Sequence, residues 1–192
     1  YLYVKGEFNP RVEKTFTPSI CNRLDRNTSG IIIGAKNYQS LKIINDAIKK
    51  GNVNRYYKTI VKGIVKEDKI IEGFLVKDEE LNKVKVFKQD KDGSKKIVTK
   101  VKILDSSDAY SLLEIQLITG RTHQIRAHLS SIGYPIIGDI KYGDERINRY
   151  FKEKYDLNSQ FLHSYKVNFN GIDEPLDYLN QRQFVGRLND KF

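Results

Sequence analysis

From residue 84 to residue 117 the chain keeps returning to one pattern, an apolar residue followed by a polar one. Val84 and Val86 alternate with lysines, Ile97, Thr99, Val101 and Ile103 follow at every second position, and Leu113, Ile115 and Leu117 alternate with Glu114 and Gln116. A period of two puts one set of side chains against a core and the other in water, the signature of antiparallel strands with one wet face. Turn-forming stretches, Lys91-Asp92-Gly93-Ser94 and Asp105-Ser106-Ser107-Asp108, separate the runs. The middle of this chain is therefore expected to be a set of β-hairpins, and whatever else folds must pack on them.

Helices and further strands flank this block. Leu41, Ile44, Ala47 and Ile48 share one helical face within 38–50, and Gly51 supplies the stop. Residues 53–65 are rich in β-branched and aromatic residues and read as a strand, so the chain opens in α/β fashion. The apolar run 31–36, bounded by Gly30, reads as a short buried strand. Ile125, Leu129 and Ile132 define a helix ended by Gly133 and Pro135, with Thr119 or Thr122 as its cap. A helix is expected at 144–155, a strand at 161–169 and a helix in the tail after Pro175. Residues 1–20 read as irregular, with Tyr1-Leu2-Tyr3 as the end of a helix. No linker, repeat or low-complexity segment divides the chain, so one domain over 1–192 is expected. The absence of methionine suggests a piece lacking an N-terminal portion.

Composition narrows the function. With 39% hydrophobic and 30% charged residues the chain suits a soluble globular protein, and no apolar run approaches the ~20 residues of a membrane helix. No membrane partner is expected. A single cysteine cannot form an intramolecular disulfide and fits a reducing, cytoplasmic setting. His123 and His128, five apart, would point ~140° away from each other on a helix. With no cysteine pair and no His-Glu-x-x-His, no metal site is expected. There is no Walker loop, dinucleotide fingerprint or Gly-x-Ser-x-Gly. The net charge of +10 favours a polyanionic partner, nucleic acid before membrane, although a lysine-rich solvated surface gives the same number.

Two stretches carry candidate chemistry. In Cys21-Asn22-Arg23-Leu24-Asp25-Arg26-Asn27-Thr28-Ser29-Gly30 a carboxylate lies between two arginines. Neighbouring positive charge favours the ionised form, so Asp25 is a candidate nucleophile or base; the plainer reading is a loop-capping carboxylate. Cys21 is a candidate thiolate or a small packing residue. In the second stretch, 117–129, Arg126 stands ~100° round from Ile125 and flanks the buried stripe. Arg121 lies before or within the first turn, where helix donors suit a phosphate or carboxylate. Tyr57 and His163, taken singly, read as core residues.

These stretches together carry a resemblance. Asn-Arg-Leu-Asp-Arg-Asn-Thr-Ser-Gly at 22–30 resembles the catalytic signature of the RluA-type pseudouridine synthases, His-Arg-Leu-Asp-x-x-Thr-Ser-Gly. Tyr57 to Gly63 resembles their Tyr-x-Ala-x-Val-x-Gly strand. Thr119 to His128, with Gly133 to Asp139 and Tyr142-Gly143, resembles their C-terminal signature, and Leu162-His163 a late strand. The similarity runs from about 20 to 170. Asn22 departs from the usual His, so no acid or base is needed there. The family's first block, and the separate RNA-binding module of many members, are not found before residue 20.

The resemblance implies an α+β fold, a mixed, largely antiparallel sheet with flanking helices. It implies isomerisation of uridine to pseudouridine in RNA, large-subunit ribosomal RNA before transfer RNA, by a monomer without a cofactor. Asp25 would be the carboxylate that acts on a flipped-out nucleotide. Arg126 would hold it ionised, with Arg23 and Arg26 as the local alternative. Tyr57 would stack on the uracil and take part in the deprotonation. Arg23 would fill the gap left in the RNA, and Arg26 and Arg121 would contact RNA. Two other functions share these residues: an RNA-binding module without catalysis, and a glycosylase that releases free base.

Overall fold

The structure, a computed structural model, describes residues 16–78, 80 and 83–187. In chain order the elements are β1 (Ser19–Ile20), β2 (Ser29–Gly30), β3 (Gly34–Ala35), α1 (Tyr38–Lys50), β4 (Val53–Lys62), β5 (Lys69–Asp78), β6 (Lys83–Phe87), β7 (Lys95–Ser106), β8 (Tyr110–Leu117), α2 (Gln124–Ser131), α3 (Glu145–Tyr155), β9 (Leu162–Phe169), a 3-10 turn at Asp177–Leu179, and β10 (Gln183–Val185). The main sheet runs β10-β9-β4-β8-β7-β5-β6, with β2 joined to β9. All its pairings are antiparallel except β2 with β9. The fold is α+β, as expected, with a mixed, largely antiparallel sheet.

Alternation decides which face is covered. On β8, Ser111, Leu113, Ile115 and Leu117 are buried while Leu112, Glu114 and Gln116 are only partly so. Leu113 and Ile115 pack with Tyr57 and Val61 of β4, Val101 of β7, and Ile125 and Leu129 of α2. Eight residues make a helix that is marginal by itself, so α2 depends on this contact; each such aliphatic side chain contributes about 1.5–3 kcal/mol when fully buried. A second cluster places Ile44 and Ala47 of α1 against Val53, Val167 and Phe169. Tyr56, Lys58, Glu114 and Lys166 occupy the other face, where the Tyr165 hydroxyl and Lys166 both bond Glu114.

Several expectations change. The run 31–36 is not one strand: Gly30 has φ 117°, the ladder breaks there, and β2 and β3 belong to different sheets. Ile31 and Ile33 pack on the α1 cluster, but Ile32 is 43% exposed. The α/β opening does not persist, because β4 pairs antiparallel with β8 and β9. Neither Thr119 nor Thr122 caps α2. The cap position is His123 at φ 53°, whose side chain makes no capping bond, while Thr119 Oγ1 accepts from Val98 N at 2.9 Å on β7. The tail contains only the 3-10 turn and β10 among the described residues; Gln181 at φ 62° breaks any helix before the chain returns to pair with β9. The helix end suggested at Tyr1-Leu2-Tyr3 lies outside the described residues. Among the described residues no helix is long and apolar enough to cross a membrane.

Candidate active site

The loop that carries Asp25 is braced at both ends. Cys21 N donates to Ile33 O (2.8 Å), and the buried Asn22 side chain accepts from Ile33 N (2.7 Å). Asn22 thus has a structural task that asks nothing of its acidity. At the far end Ser29 Oγ meets His163 Nδ1 at 2.7 Å. Gln160 Nε2 donates to Arg26 O (2.6 Å) and Thr28 Oγ1 (3.2 Å). Gly30 lies so near β9 that a Cβ would stand 2.1 Å from Ser164 O, which only glycine permits.

Asp25 points from this loop towards α2. Its side chain is 16% exposed, and its Oδ2 lies 3.4 Å from Arg126 Nη1. The remaining donors of Arg126 are engaged by a second carboxylate: Nε to Asp139 Oδ2 at 2.7 Å and Nη2 to Asp139 Oδ1 at 2.9 Å. Asp139 is wholly buried, and its Oδ1 also accepts from the backbone of Lys141 and Tyr142. The Arg126 guanidinium lies over the Tyr142 ring, 5.3 Å from its centre, a favourable cation–π placement. Asn148 of α3 bonds both Gly138 N and Asp139 O, so a helix with no buried residue steadies the loop beneath the arginine. Burial alone would lower the Arg126 pKa, but the hydrogen bonds and charge of Asp139, then of Asp25, raise it.

The other groups follow from the strands. Tyr57 is 4% exposed on the face of β4 that meets α2. Burial lifts its phenol above the ordinary value and outweighs the opposing charge of Arg55, so the hydroxyl stays protonated at neutral pH. It is paired with Ser164 rather than with Tyr165, because β9 carries one extra residue between the partners of Tyr56 and Tyr57; such a bulge redirects side chains at that point. His123, at the head of α2, bonds the Tyr142 hydroxyl through Nδ1 at 2.9 Å, and burial lowers its pKa. Burial also raises the Cys21 thiol, which does not suit a thiolate nucleophile.

A cavity of about 380 Å³ opens over these groups, within the range of small-ligand sites. Asp25 and Tyr57 line it, together with Arg23, Arg55, Lys95 and Arg121. Asp25, Tyr57 and Arg126, far apart in sequence, are thus brought together. Arg126 is the guanidinium on Asp25; among the described residues neither Arg23 nor Arg26 forms an ion pair with it. Arg23 and Arg121 border the cavity and Arg26 does not. Sequence reasoning missed Asp139, Tyr142, Arg55 and Lys95. Asp139 and Tyr142 stand inside quoted motif blocks, so their positions were marked although their contacts were not. Arg55 stood two residues before Tyr57, on the same face of a recognised strand.

Comparison with known proteins agrees with this architecture. The family profile described as RNA pseudouridylate synthase matches residues 2–131. The chain is 38% identical over 165 residues to the ribosomal large subunit pseudouridine synthase D of Borreliella burgdorferi, covering 85% of this chain and 47% of that protein. It is 33% identical over 169 residues to the ribosomal large subunit pseudouridine synthase C of Buchnera aphidicola, covering 83% and 53%. The chain spans about half the length of these relatives. The solved structure of human RNA pseudouridylate synthase domain containing 1 superposes with a TM-score of 0.72 at 22% identity, covering 89% of this chain and 69% of that one, which shows a shared fold. The fold is that of the pseudouridine synthases. The chain belongs to the RNA pseudouridylate synthase family, in its RluA-type branch.

Proposed function

We propose that this chain is the catalytic domain of a site-specific RNA pseudouridine synthase acting on large-subunit ribosomal RNA, with Asp25, Tyr57 and Arg126 as its catalytic residues. One observation carries the reading: Asp25 reaches the cavity with a single 3.4 Å contact to Arg126, while Asp139 takes the bidentate edge of that arginine. A close bidentate pair with Asp25 would neutralise the carboxylate. A guanidinium already committed elsewhere orients it and leaves its lone pairs available.

Isomerisation breaks the C1′–N1 bond and forms C1′–C5; C5 loses a proton and N1 gains one. Atoms balance within the nucleoside, so no outside reagent is needed. Asp25 would attack covalently or remove a proton as charge develops on the sugar. The uracil would lie against Tyr57, the usual way to hold a base taken out of its stack, at a cost of a few kcal/mol for the flip. The protonated phenol can donate to a uracil carbonyl. Arg23 and Arg121, at the cavity, would contact the RNA; Arg26, which does not line the cavity, would contribute only at longer range. The +10 charge supports a polyanionic substrate, and the two relatives are named for ribosomal large-subunit RNA.

The test is to incubate the purified protein with ribosomal RNA from a strain lacking its gene and to map pseudouridine by carbodiimide primer extension. Conversion at a defined uridine is expected, with no release of uracil and none in Asp25→Asn. Free uracil would indicate a glycosylase, and binding without conversion a non-catalytic module.

A further inference from the structure

The cavity contains more positive charge than Asp25 accounts for. Arg23, Arg55, Lys95 and Arg121 line it, and among the described residues Asp25 is its one lining carboxylate, already facing Arg126. None of the four cations enters an ion pair among the described residues. Three of them are exposed and can be solvated. Arg55 is the exception.

Arg55 leaves β4 two residues before Tyr57, so both project from the same face. Its backbone is held between Leu117 of β8 and Val167 of β9. Its Nε is buried and has no hydrogen-bond partner among the described residues. The guanidinium lies against Gly120, where a Cβ would be 3.1 Å from both Nη1 and Nη2. A side chain at 120 would crowd that group; glycine lets it lie close to the backbone. A donor taken from water and left unmatched is unfavourable, and a guanidinium is a planar fork suited to phosphate oxygens. Charge, vacant donor and position beside Tyr57 point to one kind of ligand.

We propose that Arg55 binds a backbone phosphodiester next to the flipped-out nucleotide, with Arg121 and Lys95 adding charge at the rim. This rests on the reading of the cavity as an RNA site. It makes Arg55 a binding residue that fixes where the sugar stops above Asp25, the charge of the phosphate being met inside the cavity rather than at the surface.

The test uses a fluorescent dodecauridylate as probe, with wild type, Arg55→Gln and Arg55→Lys titrated between 50 and 300 mM KCl, and melting temperatures measured with and without inorganic phosphate. Arg55→Gln is expected to bind about tenfold more weakly, Arg55→Lys in between, and the slope of log K against log salt in Arg55→Gln to fall by about 0.7, the share of one single-strand phosphate. Without RNA, Arg55→Gln should melt at or above the wild-type temperature, because it removes an unmatched donor and charge. A lower melting temperature with unchanged affinity would make Arg55 a packing residue and overturn the proposal. An unchanged salt slope would overturn it as well. If inorganic phosphate stabilises the wild type alone while dodecauridylate binding is unaffected by the substitution, the site takes a free phosphate and the assignment to the RNA chain fails. No arm reads pseudouridine, so absence of conversion and absence of this phosphate contact are separate results.

Discussion

Asp139 turns Arg126 from a mobile cation into a fixed one. Its carboxylate engages two guanidinium nitrogens and two backbone amides, which leaves Nη1 as the part of Arg126 that meets Asp25. In Asp139→Asn the guanidinium keeps its burial and loses the closer of its two counter-charges. Breaking a buried pair from one side costs about 3–5 kcal/mol, to be read by urea denaturation. Turnover should fall by about a hundredfold, the scale of a 1 Å misplacement, with little change in RNA affinity. Asp25→Asn should instead abolish conversion while leaving stability nearly unchanged, because among the described residues that carboxylate has one long contact. Asp25 was legible because a carboxylate in a polar loop beside an apolar run is an unusual combination. The task of Asp139 was not, since nothing in Gly-Asp-Ile-Lys-Tyr-Gly says which distant arginine it will meet.

At the level of elements, the site depends on two joints. The first is β2 on β9, where Gly30 meets Ser164. Gly30→Ala forces a Cβ into the Ser164 carbonyl at a φ that L-residues rarely adopt; melting temperature and conversion should fall together, with α1 undisturbed by hydrogen exchange. The second is α2 on β7. Gln124 Nε2 bonds Val98 O and Thr99 Oγ1, and His128 Nδ1 meets Thr99 Oγ1 at 3.0 Å. Burial lowers the pKa of His128, and of His163 at the first joint. The folded state therefore holds both rings neutral where the unfolded chain would protonate them, below the ordinary value of 6.5. Stability should be flat above about pH 6.5 and fall as pH drops from there through the depressed folded values. His128→Gln, less stable at pH 8, should show a shallower fall between pH 6.5 and 5 in thermal melts. Strand alternation and the α1 face were readable because each repeats a period. The start of α2 and the extra residue at Tyr165 were not, because both are set by what the neighbouring strand requires.

For the molecule as a whole, the +10 charge predicts RNA binding that weakens steeply with salt, measurable as a linear fall of log K with log salt. The order of the strands could not be read from the sequence: β9, late in the chain, enters between β10 and β4, and local patterns do not specify partners so far away. The same long reach has a consequence for synthesis. Asp25 and Arg126 are 101 residues apart, with Asp139 a further 13 beyond. While a nascent chain is still leaving the ribosome, its carboxylate is present but its counter-ion has yet to be translated. Asp25 therefore stays without its guanidinium until synthesis has passed Arg126, and without the brace on that guanidinium until it has passed Asp139.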